Sequence, residues 1–95
     1  MTADGLELEW TPSAVADLLA IIDYISDENP RAAQALKDEI DEKTSRLPEH
    51  PRLYRTGRVL GTREMVVRPN YVIIYAETLQ SLRILRVLHA AQTWP

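Results

Sequence analysis

The chain has 95 residues, of which 45% are hydrophobic and 26% charged, a composition typical of a folded domain and not of a disordered chain. Cysteine is absent, which excludes disulfide bonds and thiolate metal sites. The start lacks the pattern of a secretory signal, and no apolar run approaches the roughly 20 residues of a membrane span. We therefore expect a single domain over residues 1–95, a cytoplasmic location, no membrane contact, no metal and no cofactor.

Charge is divided unevenly along the chain. Residues 1–50 carry four basic residues against twelve carboxylates, a net charge of −8, whereas residues 51–95 carry seven arginines against two glutamates, a net charge of +5. Arginine binds carboxylates and phosphates through a planar, two-pronged donor. The basic half therefore indicates an anionic partner, either nucleic acid or an acidic peptide, and dispersed solubilising charge is the alternative.

The first half predicts one strand and two helices. Residues 6–10 alternate apolar and acidic side chains, which is typical of a half-buried strand. Thr11-Pro12 and Asn29-Pro30 each combine a capping side chain with a proline suited to the first helical position. The first helix should end near residues 26–28 and the second near Leu47, and their short connection predicts an antiparallel hairpin. The stripe expected to be buried on the first helix comprises Val15, Leu18, Leu19, Ile22 and Ile25.

The second half predicts a loop followed by three strands. Residues 48–61 contain turn formers and no sustained period, so we expect a loop. Residues 62–67, 71–75 and 82–88 are rich in β-forming side chains and are separated by short polar turns. The element order is then β-α-α-β-β-β. It predicts an α+β, two-layer fold in which the helix hairpin packs on a four-stranded, mainly antiparallel sheet.

Several short motifs occur together in this framework. They are Gly61-Thr62-Arg63-Glu64, the stretch from Pro69 to Tyr75, and Arg86-Val87-Leu88-His89, with Glu49-His50-Pro51 and Gln92-Thr93-Trp94-Pro95 beside them. In this order the motifs resemble the RelE/ParE toxin superfamily of type II toxin–antitoxin systems. The resemblance implies a cognate acidic antitoxin that wraps the toxin, often along its sheet, in a hetero-oligomer. An open sheet edge can accept such a peptide.

The resemblance leaves the target open. RelE-like members cleave messenger RNA in the ribosome, whereas ParE-like members act on DNA gyrase and are not enzymes in their own right. The Arg-Val-Leu-His ending resembles ParE. A net charge of −3 and only two lysines argue against binding RNA, because phosphate neutralisation dominates such affinity. We expect a gyrase inhibitor, with a ribosome-dependent endoribonuclease and a non-toxic, antitoxin-binding relative as alternatives.

The candidate site residues follow from the two targets. In a nuclease, cations and a proton-transfer group would act on the scissile phosphate, and the candidates are Arg63, Arg86 and His89. The candidates for binding the target or partner are Arg58, Arg63, Arg83, Arg86 and Trp94.

Each candidate also has a structural alternative. Arg83 and Arg86 are three residues apart in one strand, so they should lie on opposite faces unless a bulge intervenes. A buried Arg86 would need an acidic partner such as Glu64. For His89 the alternative is a hydrogen bond to the backbone, and for Trp94 it is a role as an anchor at the edge of the core.

Overall fold

A helix hairpin and a five-stranded sheet make up the computed structural model, which describes residues 5–90, 92 and 94. The elements are β1 (Glu7–Trp10), α1 (Pro12–Ser26), α2 (Pro30–Ser45), a 3₁₀ turn (Leu47–Glu49), β2 (Arg55–Thr56), β3 (Arg63–Arg68), β4 (Tyr71–Glu77) and β5 (Ser81–His89). Within these residues, neither helix is both long and apolar enough to cross a membrane. Thr93 and Pro95 of the C-terminal motif lie outside the described residues.

Both helices begin where the Thr-Pro and Asn-Pro pairs predict. The Thr11 hydroxyl accepts a hydrogen bond from the Ala14 amide at 3.1 Å, and the Asn29 side chain accepts one from the Ala32 amide at 3.1 Å. Each cap satisfies a first-turn N–H that has no partner inside the helix. The second helix ends at Ser45, slightly before the predicted end, because the chain tightens into the 3₁₀ turn that contains Leu47.

The sheet confirms the α+β architecture with one more strand than predicted. Its order is β1-β5-β4-β3-β2, and β1 runs parallel to β5 while the other neighbours are antiparallel. The additional strand is β2, which lies in the segment predicted as loop. It has only two residues, and its pairing with β3 defines it, so no period in the sequence could reveal it.

The main core lies between the helices and one face of the sheet. Side chains of α1 and α2 such as Leu18, Leu36 and Ile40 pack against strand residues such as Met65 and Ile73. A buried side chain of this size typically stabilises a fold by about 2 kcal/mol or more.

The buried face of α1 differs from the predicted stripe at two positions. Val15 and Leu19 are exposed, whereas Leu18 is buried as predicted and Ala14, which was not predicted, is buried beside it. The reason is Asp17, whose carboxylate binds β5 and fixes the rotation of the helix. At about 100° per residue, Val15 and Leu19 then lie beyond the opposite edge of the buried face.

The opposite face of the sheet, which we call the open face, carries a smaller apolar cluster. Val72, Ile74 and Leu88 are buried there, with Leu85 and Trp94 packed against them. No helix residue belongs to this cluster, so among the described residues the indole of Trp94 is the main cover outside the strands.

Candidate functional site

The arginines of the basic half are largely engaged by the protein's own carboxylates. The ion pairs are Arg52–Glu77, Arg55–Glu64, Arg58–Glu64, Arg68–Glu39, Arg83–Glu9 and Arg86–Asp17. Arg63 instead donates to the Tyr54 carbonyl oxygen at 2.7 Å. The acidic and basic halves of the sequence therefore neutralise one another in part, and the surface is less basic than residues 51–95 alone suggest.

Arg86 ties helix α1 to strand β5. Its Nε and Nη2 donate to the two Asp17 carboxylate oxygens at 2.7 and 2.9 Å, and the Val87 amide donates to Oδ2 at 3.0 Å. The hydrogen bond that Arg86 donates to Asp17, ahead of the charge of that carboxylate, raises the pKa of Arg86. The acidic partner suggested from the sequence was Glu64, and that suggestion is wrong because Glu64 binds Arg55 and Arg58.

The contact between Asp17 and strand β5, which we call the tie, forms at an irregularity in β5. Ile74 stands opposite Arg86 but Tyr75 stands opposite Ile84, so Leu85 is an extra residue in the ladder. The Leu85 carbonyl accepts a hydrogen bond from the Thr11 hydroxyl at 3.0 Å. A bulge turns neighbouring backbone groups away from the ladder, which here makes them available to the helix.

Arg83 and Arg86 bind different carboxylates. Arg83 lies opposite Glu9 of β1, and its Nε donates to that carboxylate at 3.1 Å. Its neighbours Leu82 and Ile84 belong to the main core, so Arg83 belongs to the open face. The bulge at Leu85 shifts the alternation, so Arg86, opposite Ile74, starts from the same face, but its guanidinium binds Asp17 of α1.

Arg63 lines a groove of about 460 Å³ at the end of the sheet, together with residues 56–57, residues 59–62 and Glu77. Its bond to Tyr54 holds the preceding loop, and the Tyr75 hydroxyl holds the same loop by donating to the Pro51 carbonyl at 3.0 Å. Burial raises the pKa of the Tyr75 phenol, which keeps it a donor. The floor of the groove is therefore fixed by β3 and β4.

The most enclosed charge on the open face is the carboxylate of Glu64, whose side chain is 3% exposed. Arg55 Nη2 donates to Oε1 at 3.0 Å, and the amide and Nε of Arg58 both donate to Oε2 at 3.2 Å. Burial raises the pKa of Glu64, but the Arg58 amide and the two guanidinium charges outweigh it, so the net pKa is lowered. We call Arg55, Arg58 and Glu64 the arginine clamp.

Sequence reasoning named Arg58 as a binding residue but missed Arg55 and the role of Glu64 as their shared acceptor. The sequence contained only a weak indication of this role for Glu64. Only two glutamates occur among residues 51–95, so a glutamate inside a β-forming segment was the natural anchor for nearby arginines.

His89 and Trp94 lie near the C-terminal end of β5. The ring of His89 meets Tyr71 edge-on, with centroids 5.7 Å apart, and its backbone amide donates to the Gln92 side chain at 2.6 Å. The Trp94 indole packs on the apolar cluster of the open face, and none of the described residues accepts a hydrogen bond from its buried N–H.

The three nuclease candidates stand apart in the sheet. Arg63 is opposite Tyr75 and His89 is opposite Tyr71, so four residues of β4, about 13 Å, separate their levels. They also stand on different strands, with β4 between them. Arg86 lies at the level of Ile74 but is turned to Asp17.

Comparison with known proteins agrees with this fold. The chain matches the family described as ParE toxin of type II toxin-antitoxin system, parDE, over residues 8–94. It is 38% identical to Toxin RelE2 of Caulobacter vibrioides over 86 residues, which cover 90% of this chain and 97% of that protein.

Two solved structures are similar over most of their length. The chromosomal ParDE toxin–antitoxin system of P. aeruginosa superposes with a TM-score of 0.81 at 25% identity, covering 88% of this chain and 95% of that one. The fold of the E. coli DinJ–YafQ toxin–antitoxin complex is also similar, with a TM-score of 0.68 at 16% identity over 95% and 98% of the two chains. The family match spans the strands, the helix hairpin and the end of β5, and it confirms the resemblance seen in the sequence. The chain therefore belongs to the ParE toxin family of type II toxin–antitoxin systems.

Proposed function

We propose that this toxin inhibits DNA gyrase, that it acts in the cytoplasm as a single domain over residues 1–95, and that a cognate acidic antitoxin neutralises it in a hetero-oligomer. The observation that carries the choice of target is the separation of Arg63, Arg86 and His89. In-line cleavage of RNA needs a base, an acid and a cation around one phosphate. The backbone positions of Arg63 and His89 lie about 13 Å apart along the sheet, which does not favour their acting on the same phosphate.

Electrostatics supports the same choice. The chain has a net charge of −3, and Asp17, Glu9 and Glu64 each occupy arginines that an RNA backbone would need. Affinity for nucleic acid falls with every phosphate left without a cation. A protein target, in contrast, is bound through a mixed surface of arginine and apolar side chains.

Similar solved structures support the proposal that an antitoxin binds this chain. The P. aeruginosa and E. coli structures are both of toxin–antitoxin systems. For this chain, an antitoxin encoded by a neighbouring reading frame should co-purify with it and restore growth when the two are expressed together.

The experiment for the target is a supercoiling assay with purified gyrase and relaxed plasmid. Added toxin should reduce supercoiling or raise the level of cleaved DNA, and toxin mixed beforehand with the antitoxin should do neither. Arg46→Gln, which alters an exposed residue at the C-terminal cap of α2 that pairs with Glu42 among the described residues, should inhibit like the original chain. Unchanged supercoiling and cleavage at high toxin concentration would refute gyrase as the target.

An endoribonuclease is the second candidate, favoured by the identity to a toxin named RelE2 and by the exposed position of His89 at the end of β5. Primer extension on translated messages would then show new cuts that vanish in His89→Ala and Arg63→Ala. Intact messages during growth arrest would exclude it. Normal growth on expression of the chain alone would instead favour a non-toxic relative that binds only its antitoxin.

A further inference from the structure

The arginine clamp lies beside an exposed apolar side chain on the open face. Glu64 stands opposite Arg55 on β2 and Ile74 on β4, and these three positions share a face because paired residues point the same way. Two residues further along β3, on the same face, Val66 stands opposite Val72 and is 45% exposed. A charged and an apolar feature therefore lie next to each other.

The clamp itself is built to hold an anion. Arg55 and Arg58 are 60% and 51% exposed, yet each is held at one end by the buried Glu64 carboxylate. Arg55 uses Nη2 and Arg58 uses Nε for this purpose, and a guanidinium has five N–H donors. The remaining donors are positioned in advance, which reduces the entropy lost when a ligand is bound.

Spacing and charge select the class of ligand. Successive same-side residues of an extended peptide are about 7 Å apart, the same as the spacing between Glu64 and Val66 along β3. The clamp holds two arginines and one carboxylate, a net charge of +1, and the Arg83–Glu9 pair on this face adds none. One carboxylate suits such a surface, whereas a run of phosphates would meet two fixed carboxylates.

We propose that the arginine clamp is a carboxylate-binding subsite for an extended acidic peptide, which places an Asp or Glu on Arg55 and Arg58 and an apolar residue two positions away on Val66. We assign this peptide to the antitoxin of the proposed function. The subsite confers specificity, because only a segment with acidic and apolar residues at this spacing engages both features.

The test is fluorescence polarisation with the full chain and three labelled probes: an eight-residue peptide of alternating Glu and Val, the same peptide with Gln for Glu, and an eight-nucleotide single-stranded RNA. The Glu peptide should bind most tightly. Arg55→Gln and Arg58→Gln should each weaken it about tenfold, since each removes charge-assisted hydrogen bonds. The matched control is Arg46→Gln, which removes an exposed arginine and one ion pair elsewhere and should leave binding unchanged.

Arg55→Lys guards against a folding artefact, because it keeps the charge beside Glu64 but loses the two-pronged donor. It should bind more weakly than the original chain while melting at nearly the same temperature. Equal affinity for the Glu and Gln peptides, or an equal loss in Arg46→Gln, would overturn the subsite. Tighter binding of the RNA would replace it with a nucleic-acid contact.

The gyrase assay, run in parallel, separates this proposal from the proposed function. Gyrase inhibition without selective peptide binding refutes the subsite alone. Selective peptide binding without inhibition refutes the target alone.

Discussion

Replacing Asp17 with alanine tests the tie between helix α1 and strand β5. The change removes the acceptor of two hydrogen bonds from Arg86 and one from the Val87 amide. Both the rotation of α1 and its contact with β5 depend on this side chain. We therefore expect a loss of stability larger than a surface carboxylate would give.

The magnitude follows from what is left unsatisfied. Val87 is 1% exposed, so its amide loses its acceptor in a buried place, which costs about 1–3 kcal/mol. The Arg86 side chain is 35% exposed, so water replaces part of the lost ion pair and the full cost of breaking a buried pair does not apply. Together these losses should lower the free energy of unfolding by about 2–3 kcal/mol, which corresponds to a decrease of roughly 10–20 °C in the midpoint of thermal unfolding for a domain of this size.

Urea unfolding followed by circular dichroism measures this difference. Asp38→Ala is the matched control, since Asp38 is an exposed helical aspartate that accepts a single hydrogen bond from Gln34, and it should change stability by no more than about 0.5 kcal/mol. Asp17→Asn should fall between the two variants because the amide still accepts one hydrogen bond. Equal stabilities of Asp17→Ala and Asp38→Ala would refute the structural role of the tie.

Three further predictions concern the clamp, the tryptophan and a glycine. The lowered pKa of Glu64 means that its carboxylate stabilises the fold above its usual pKa of 4.5, and that this contribution disappears as the pH falls through the lower folded pKa. Glu64→Gln should therefore melt below the original chain at pH 7, and the gap should narrow below about pH 4.5. Trp94→Ala should lose about 2 kcal/mol in urea unfolding by uncovering the apolar cluster, whereas Trp94→Phe should lose less. Gly57→Ala forces a methyl group against the Thr62 hydroxyl and should cost about 1–3 kcal/mol, whereas a methyl group at Gly5 meets none of the described residues and Gly5→Ala should be neutral.

The contrary outcomes are equally definite. A gap for Glu64→Gln that stays constant from pH 8 to pH 3 would contradict the lowered pKa. Identical losses in Trp94→Ala and Trp94→Phe would show that ring packing does not cover the cluster. Gly57→Ala and Gly5→Ala variants of equal stability would show that the loop before β3 adapts freely.

Local signals predicted most of the fold. The Thr11 and Asn29 caps act within a few residues of the chain, and the strand–helix–helix–strand order follows from hydrophobic periods that need no knowledge of tertiary contacts. Strand β2 was not predicted, because a two-residue strand is defined only by its pairing with a neighbouring strand. The exposure of Val15 and Leu19 was not predicted, because the rotation of α1 is set by Asp17. This residue contacts Arg86 of β5, which is 69 positions away in the sequence.

The candidate site could be predicted only by residue type. Arg58, Arg63, Arg83 and Arg86 were named from the charge pattern and the family resemblance, but the acceptor that each one binds depends on the path of the loop and on the bulge at Leu85. The clamp in particular joins Arg55 to Glu64 across nine positions of that loop. Whether these residues and Trp94 contact gyrase or the antitoxin stays a prediction.

Strand β4 has apolar contacts on both of its faces. Tyr71, Ile73 and Tyr75 point into the layer beneath the helices, while Val72 and Ile74 contact the cluster on the other side, and all five side chains are buried. Backbone amides exchange with deuterium only when such a strand is freed from both layers, which requires opening of the whole domain. The amides of β4 should thus be the slowest to exchange, while β1 and β2 at the sheet margins exchange early and are free to adjust when another protein binds.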